Sequence, residues 1–201
     1  MNIITLTEPA VEPVTLQDVY QHLRLDLTPG SPASHPHDTM LTRFIKTARR
    51  ECEQIAHMAF VSQRLLQVTN GFPVSRKIAL LRPPVISVVS VAYYDADKAL
   101  QTIDPVDYFV TDEQVPQLQF VPAFSFPVAH ARADSLRIDH MAGYAPVGSP
   151  PDYAAGVPDE IKAAILLGVE LLYQPLTPDQ RAALVRARDA LLSGLKIYSI
   201  A

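Results

Sequence analysis

Asp38-Thr-Met-Leu-Thr-Arg-Phe-Ile-Lys-Thr-Ala-Arg-Arg-Glu-Cys-Glu-Gln-Ile-Ala-His-Met-Ala59, followed by Phe60-Val-Ser-Gln-Arg-Leu-Leu-Gln-Val-Thr69, decides the fold class. In the first run Leu41, Phe44, Ile45, Ala48, Cys52, Ile55 and Ala59 recur at helical spacing and make one long apolar stripe. Arg43, Lys46, Arg49, Arg50, Glu51, Glu53 and Gln54 occupy the other side. The pattern predicts an amphipathic helix over residues 38–59. At Phe60 the period changes. Short β-prone runs at 61–69, 77–81, 85–94, 108–111, 117–121 and 135–140 alternate with turn residues such as Asn70-Gly71-Phe72-Pro73, Arg82-Pro83-Pro84 and Asp95-Ala96-Asp97-Lys98. That spacing predicts an antiparallel β segment. Pro105, Pro116, Pro122 and Pro127 are then placed at strand ends, edges or loops, because proline has no amide to donate to a ladder.

Outward from this junction both ends of the chain read as helix. Thr15 is a cap with Asp18 in the first turn, and Leu16, Val19, Tyr20 and Leu23 share one face. Residues 27–37, with three prolines and no periodicity, read as a loop. On the far side, residues 143–156 form a Pro/Gly-rich return. Pro158, Asp159 and Glu160 suit a first helical turn, and residues 161–173 are apolar nearly all round, with Lys162 and Glu170 as the only charges. Thr177-Pro178-Asp179-Gln180 reads as a capping box opening a last helix, with Leu184, Ala187, Leu191 and Leu195 apolar. The expectation is an α+β protein. Its helical core comes from the N- and C-terminal helices, with an antiparallel β subdomain inserted between them. The organisation expected is 1–59, 60–142 and 143–201 within one compact domain.

Composition excludes several function classes. At 201 residues the chain has room for one domain, or for a core with one insertion. Lys+Arg 17 against Asp+Glu 21 gives a net charge of −4, without the basic excess of a chain built to hold nucleic acid. Seven glycines argue against Gly-rich phosphate loops, and eighteen prolines argue for many short segments with stiff joints. One cysteine, Cys52, supports neither a disulfide nor a multi-thiolate zinc site. Met1 to Val11 lacks the basic and apolar regions of a signal peptide, and no apolar run approaches the ~20 residues of a membrane span. A soluble protein made inside the cell, with no membrane partner, is the expectation.

No motif carries catalytic chemistry. Gly143 and Gly148 have P-loop spacing, but Ser149-Pro150 stands where Lys and Ser/Thr are needed. His35-Pro36-His37 with Asp38 pairs two imidazoles in a loop without further ligands, and Cys52 and His57 lie on different helical faces. The acid pairs Asp95/Asp97 and Asp104/Asp107 read first as turn residues, and only on convergence in a pocket as an acid–base pair. Catalytic, cofactor-binding and metal residues are therefore expected to be none, and no cofactor is expected. Arg43, Lys46, Arg49 and Arg50 form a basic helix face, read as a solvated face or as one meeting an acidic neighbour. Its alternative is a DNA-packaging accessory factor that binds DNA or terminase. The apolar helix, with Ile161, Ile165, Leu166 and Leu172, is either core or subunit contact, and the tail residues Leu195, Ile197, Tyr198 and Ile200 are a docking candidate.

The chain resembles the head–tail connector (adaptor) proteins of long-tailed bacteriophages, prophages and gene-transfer agents. The resemblance lies in Thr15-Leu16-x-x-Val19-x-x-His22-Leu23-Arg24-Leu25-Asp26, then in Asp38-x-x-Leu41-x-x-x-Ile45-x-x-Ala48-Arg49-x-x-Cys52-Glu53. It continues through Gly71-Phe72-Pro73, Leu81-Arg82-Pro83-Pro84-Val85-x-Ser87-Val88, Val91-x-Tyr93-x-Asp95 and Asp107-Tyr108. Ala142-Gly143-Tyr144 and Val157-Pro158-x-x-Ile161-Lys162-x-Ala164-Ile165-Leu166 complete it. Lys98 stands where the family's middle turn usually has glycine. The resemblance implies a non-enzymatic virion protein, made in the bacterial host cytoplasm and resident at the head–tail junction. It implies a ring, typically of twelve copies, below the portal protein and above the next tail-completion (stopper) protein. DNA would pass through that ring without sequence-specific binding. By the same resemblance the C-terminal helix and tail dock on the portal.

Overall fold

The computed structural model describes residues 1–26, 34–113 and 115–195. The chain has an α+β fold, and it divides into two compact units. Met1–Ala10 and Ser62–Ala145 make a β unit, while Val11–Val61 and, among the described residues, 146–195 make a helical unit.

In the helical unit, α1 (Leu16–Leu23) opens on a capping box: the Asp18 amide donates to Thr15 Oγ1 at 3.2 Å, and the Thr15 amide donates to Asp18 Oδ2 at 2.7 Å. α2 (Asp38–Ala56) buries Leu41, Ile45, Ala48 and Cys52 of the expected stripe and also Ala56, while Phe44 and Ile55 are half-buried. It stops three residues short of the expected Ala59. His57 turns left-handed at φ 58°, its amide donates to the Glu53 carbonyl, and the Met58 amide donates to the same carbonyl at 3.1 Å.

α3 (Asp159–Tyr173) packs against α1, α2 and α4 (Pro178–Ser193). It approaches α2 closely at Gly168, where an added Cβ would lie 2.9 Å from the Ala48 Cβ. A bare Cα facing an alanine lets the two helix backbones close up. α4 carries the expected capping box, with the Gln180 amide on Thr177 Oγ1 and the Thr177 amide on Gln180 Oε1. Its buried face differs from the expected one. Arg188 and Leu192 are buried and Ala187 is exposed, while Leu184, Leu191 and Leu195 are half-buried. Ion pairing of Arg188 with Glu51 at 2.7 Å and Asp189 at 3.0 Å lets a cation take the inward position.

In the β unit, the eight strands among the described residues form two antiparallel sheets. β1 (Asn2–Thr7), β2 (Gln63–Thr69), β8 (Leu136–Ala142), β4 (Val85–Tyr94) and β5 (Leu100–Thr102) lie in that order in the larger sheet. β3 (Lys77–Ala79), β7 (Gln117–Phe120) and β6 (Tyr108–Val110) make the smaller one. β8 shows the period of two: Leu136, Ile138, His140 and Ala142 are buried, and Arg137, Asp139 and Met141 are half-buried. The core joins Leu136 and Ile138 to Ile78, Leu80, Val91, Ile103, Leu118 and Phe120. Phe72 stacks on Phe126 at 4.8 Å, and Phe120 stacks on Phe124 at 5.6 Å. Arg76 closes this cluster, with its guanidinium 4.5 Å above Phe126 and Nη2 donating to the Val121 and Phe124 carbonyls.

Two expectations change. β1 belongs to the β unit and not with the helices of residues 1–59, because its backbone pairs with β2 from Asn2↔Val68 to Thr7↔Arg64. β5 was unforeseen: Leu-Gln-Thr is too short to show alternation, and it forms because the turn after Tyr94 folds it back on β4. Pro105 opens a 3-10 turn (Pro105–Asp107), and Pro116, Pro122 and Pro127 lie outside the strands, as their missing amides require.

Candidate interaction surfaces

The basic face of α2 is narrower than its sequence suggests. Arg43, Lys46 and Arg50 are exposed, but Arg49 is only 1% exposed and does not belong to that face. Its Nε donates to Glu12 Oε2 at 2.7 Å, Nη2 to Glu12 Oε1 at 3.3 Å, and Nη1 to Glu53 Oε2 at 2.8 Å. Glu53 Oε1 in turn accepts the Phe60 amide at 2.9 Å. The guanidinium fork ties the Glu12 segment to α2 with the planar bidentate geometry that arginine supplies and lysine does not, and Glu53 holds the Phe60 amide beside it. Helical spacing alone puts Arg49 beside Arg50. The signal that could have separated them is the Glu four residues on, at i+4.

α3 presents mainly core. Ile161 and Ile165 are fully buried and Leu166 half-buried, whereas Leu172 is 39% exposed. Of the tail candidates, Leu195 is half-buried and its amide donates to the Leu192 carbonyl at 3.1 Å. Ile197, Tyr198 and Ile200 lie outside the described residues.

The titratable groups are engaged in local structure. Asp95 accepts from the Gln101 side chain at 2.8 Å and from the Ala99 and Asp97 amides, which hold its carboxyl below the usual range. Asp104 accepts the Val106 amide at 3.0 Å as the cap of the 3-10 turn. Asp104 and Asp107 border a small open recess of about 210 Å³ with Tyr93, Thr102 and Phe124; Asp95 and Asp97 do not line it. His35 Nδ1 accepts the His37 amide at 3.1 Å, and His37 Nδ1 meets the Tyr173 hydroxyl at 3.0 Å, so both rings are used in the fold. Asp38 accepts from the Tyr20 hydroxyl, which lowers its pKa, while burial and that same carboxylate push Tyr20 up to about 12. Among the described residues no group of three His, Cys, Asp or Glu side chains is placed to hold a metal ion. Cys52 is buried, and burial pushes its thiol up to about 12.

A recess of about 400 Å³ in the helical unit is lined by Thr15, Asp18, Asp152, Asp159, Lys162 and Leu166. Its polar groups are spent on caps and on the Lys162–Asp159 pair at 3.2 Å. Among the described residues, two strand edges lie open: β1 ends the larger sheet, and β5 pairs with only part of β4. β1 is exposed at every residue but Ile3, with Ile4 and Leu6 each 47% open, and on β4 Ile86 and Val89 are 39% and 46% exposed. Sequence periodicity does not report which strand ends a sheet.

No family model matches this sequence, and no curated protein matches it. Solved structures do. A chain in the neck of an empty gene-transfer-agent particle with C6 symmetry superposes with a TM-score of 0.76 at 15% identity, over 100% of this chain and 98% of that one. Chains in the virion of a native gene-transfer-agent particle (TM-score 0.73) and in the neck of a native particle with C12 symmetry (TM-score 0.71) match with the same identity and coverage. The fold of this chain, from end to end, is that of a protein found in the neck of such particles.

Proposed function

We propose that this chain is a structural protein of the head–tail junction of a phage-like or gene-transfer-agent particle. In this reading it is a connector that forms a ring below the portal, extends the DNA channel and seats the next tail-completion protein. The observation that carries the reading is fold similarity over the full length, to a chain itself taken from particle necks. The independent resemblance of the sequence to head–tail connectors points the same way. The C6 and C12 symmetry of the neck structures supports a multi-copy ring. A net charge of −4 suits a channel through which DNA must slide, since long-lived phosphate contacts would slow it. The tail residues Leu195, Ile197, Tyr198 and Ile200 are the proposed portal contact. The DNA-packaging alternative drew on four cations on one face of α2, and with Arg49 buried that support is reduced.

Deleting the gene and imaging the lysate by electron microscopy tests the reading. Filled or leaking heads beside separate, complete tails are expected. Normal tailed particles would overturn it, and empty heads alone would favour the packaging factor. Replacing Leu195, Ile197 and Tyr198 by Ser should abolish head–tail joining while the chain stays folded by circular dichroism; retained joining would remove the tail from the mechanism.

A further inference from the structure

β1 is an unusual strand. Five of its six residues are exposed, so its apolar side chains contribute little to the core of the unit, and its ladder pairs it with β2. Its outer edge is unguarded. Asn2-Ile-Ile-Thr-Leu-Thr7 carries no charge and no proline, the usual devices that keep an edge from pairing with another chain. The Ile3 amide donates to the Asn2 side chain at 2.9 Å rather than to β2, so by strand alternation the Thr5 amide also faces away from β2.

The other side of the same sheet has a matching vacancy. β5 pairs with β4 only at Ala92, Tyr93 and Tyr94, which leaves residues 85–90 of β4 paired on the β8 side alone. That stretch, Val-Ile-Ser-Val-Val-Ser, is also uncharged. Bulges at Val85/Ser87 and Val88/Ser90 turn Ile86 and Val89 outward. Both open edges run six residues, about 20 Å of extended chain.

We propose that β1 of one copy pairs antiparallel with residues 85–90 of β4 in a second copy of this chain, joining the two sheets into one. Three observations select a second copy as the occupant. The two edges match in length and in lack of charge. In the order β1-β2-β8-β4 every neighbour is antiparallel, so β4 runs opposite to β1. A copy shifted by one sheet width therefore presents β4 antiparallel to β1 without turning over. That is a heterologous contact, the kind that closes rings by rotation. The similar chains come from necks with C6 and C12 symmetry, where such a contact would repeat. Exposed Ile4 and Leu6 would then cover Ile86 and Val89, and a partner carbonyl would replace the Asn2 side chain on the Ile3 amide.

This inference rests on the neck reading above, and the test separates the two. Full-length chains carrying Thr5→Cys with Ser87→Cys, or Asn2→Cys with Ser90→Cys in a neighbouring residue pair of the same register, are produced in the particle-forming host. Purified particles are oxidised and run without reductant. A ladder of cross-linked multimers from at least one pair, absent from chains that carry either introduced cysteine alone beside the buried Cys52, is expected. Thr5→Pro, which removes an outward amide while leaving the β2 ladder intact, should lower incorporation into particles at least tenfold without changing the chain's circular dichroism. Particles that hold the double-cysteine chains at the neck yet give no ladder, with Thr5→Pro incorporated like the parent, would overturn the strand pairing and leave the neck reading standing. Absence of the parent chain from particles would overturn the neck reading itself.

Discussion

Replacing Arg49 by Met removes a buried charge while keeping most of the side chain's volume, so it isolates what the guanidinium does. Arg49 is 1% exposed and makes three charged hydrogen bonds, two to Glu12 and one to Glu53. The Glu53 side chain is 8% exposed and the Glu12 side chain 24%. After substitution Glu53 keeps the Phe60 amide but loses the Arg49 guanidinium in a site that water scarcely reaches. Breaking one partner out of a buried pair costs about 3–5 kcal/mol, most of it the stranded charge. In a chain of this size that corresponds to a melting temperature lower by roughly 6–20 °C. Urea unfolding followed by far-ultraviolet circular dichroism, which is dominated by the helices, reads the loss. The double variant Arg49→Met with Glu53→Gln removes the stranded charge but retains an acceptor for the Phe60 amide, and it should recover more than half of the stability. That non-additivity is the signature of a coupled pair. A single Arg49→Met variant within about 1 kcal/mol of the parent would refute the reasoning, and would return Arg49 to the surface face its spacing suggests.

Three further outcomes follow from named residues. Lys98 sits at φ 67°, where a side chain is strained and glycine is not, so Lys98→Gly should raise stability by about 1 kcal/mol; an unchanged or lower urea midpoint would contradict this. His140 is buried, with Nε2 against the Leu81 carbonyl at 3.2 Å, so the ring proton sits on Nε2 and Nδ1 has no partner. Burial lowers its pKa, so its contribution is present above about pH 6.5 and is lost as pH falls below that value. His140→Gln should flatten the stability slope between pH 7 and pH 5, and an unchanged slope would show that another group carries it. With its thiol at about 12, Cys52 is thiolate at a fraction on the order of 10⁻⁴ at pH 8. It should resist alkylation until the helical unit unfolds; fast modification of the native chain would contradict its burial.

The elements that the sequence revealed are those whose burial follows a simple period. The α2 stripe, the capping boxes at Thr15 and Thr177, and the inward residues of β8 each repeat a local rule over several turns or pairs. The misplacements share a different cause. Arg49 and Arg188 are cations at inward positions, and what makes those positions tolerable is a carboxylate elsewhere in the chain. Glu12 lies 37 residues from Arg49, and Glu51 lies 137 from Arg188. No window of helical length contains Glu12 with Arg49, or Glu51 with Arg188; the local partners Glu53 and Asp189 read as members of a charged face, so periodicity alone does not turn either arginine inward. The same limit hides the interaction surfaces. Whether Ile4 and Leu6 face a core or lie open depends on β1 being the last strand of its sheet, and strand order is a property of distant pairing.

Element boundaries were hard to read for a reason that the composition itself supplies. Helix ends and tight turns need left-handed residues, and the usual marker of such a residue is glycine. This chain has seven glycines in 201 residues. It meets the demand with Arg24 at the end of α1, His57 at the end of α2, Arg76 before β3, Arg82 before β4 and Lys98 in the turn after β4, all at φ between 52° and 67°. Each is a long or ring-bearing polar residue where glycine would be cheaper, so each stop is invisible to a rule that looks for glycine. Arg76 shows what is gained in exchange. Its left-handed backbone turns the chain into β3 while its guanidinium reaches two carbonyls and the Phe126 ring, contacts that glycine has no side chain to make. The scarcity that argued against phosphate loops therefore also explains why no glycine marks the end of α2 at Ala56, ahead of the expected Ala59, and at Arg76 the left-handed residue adds a cross-link that glycine could not.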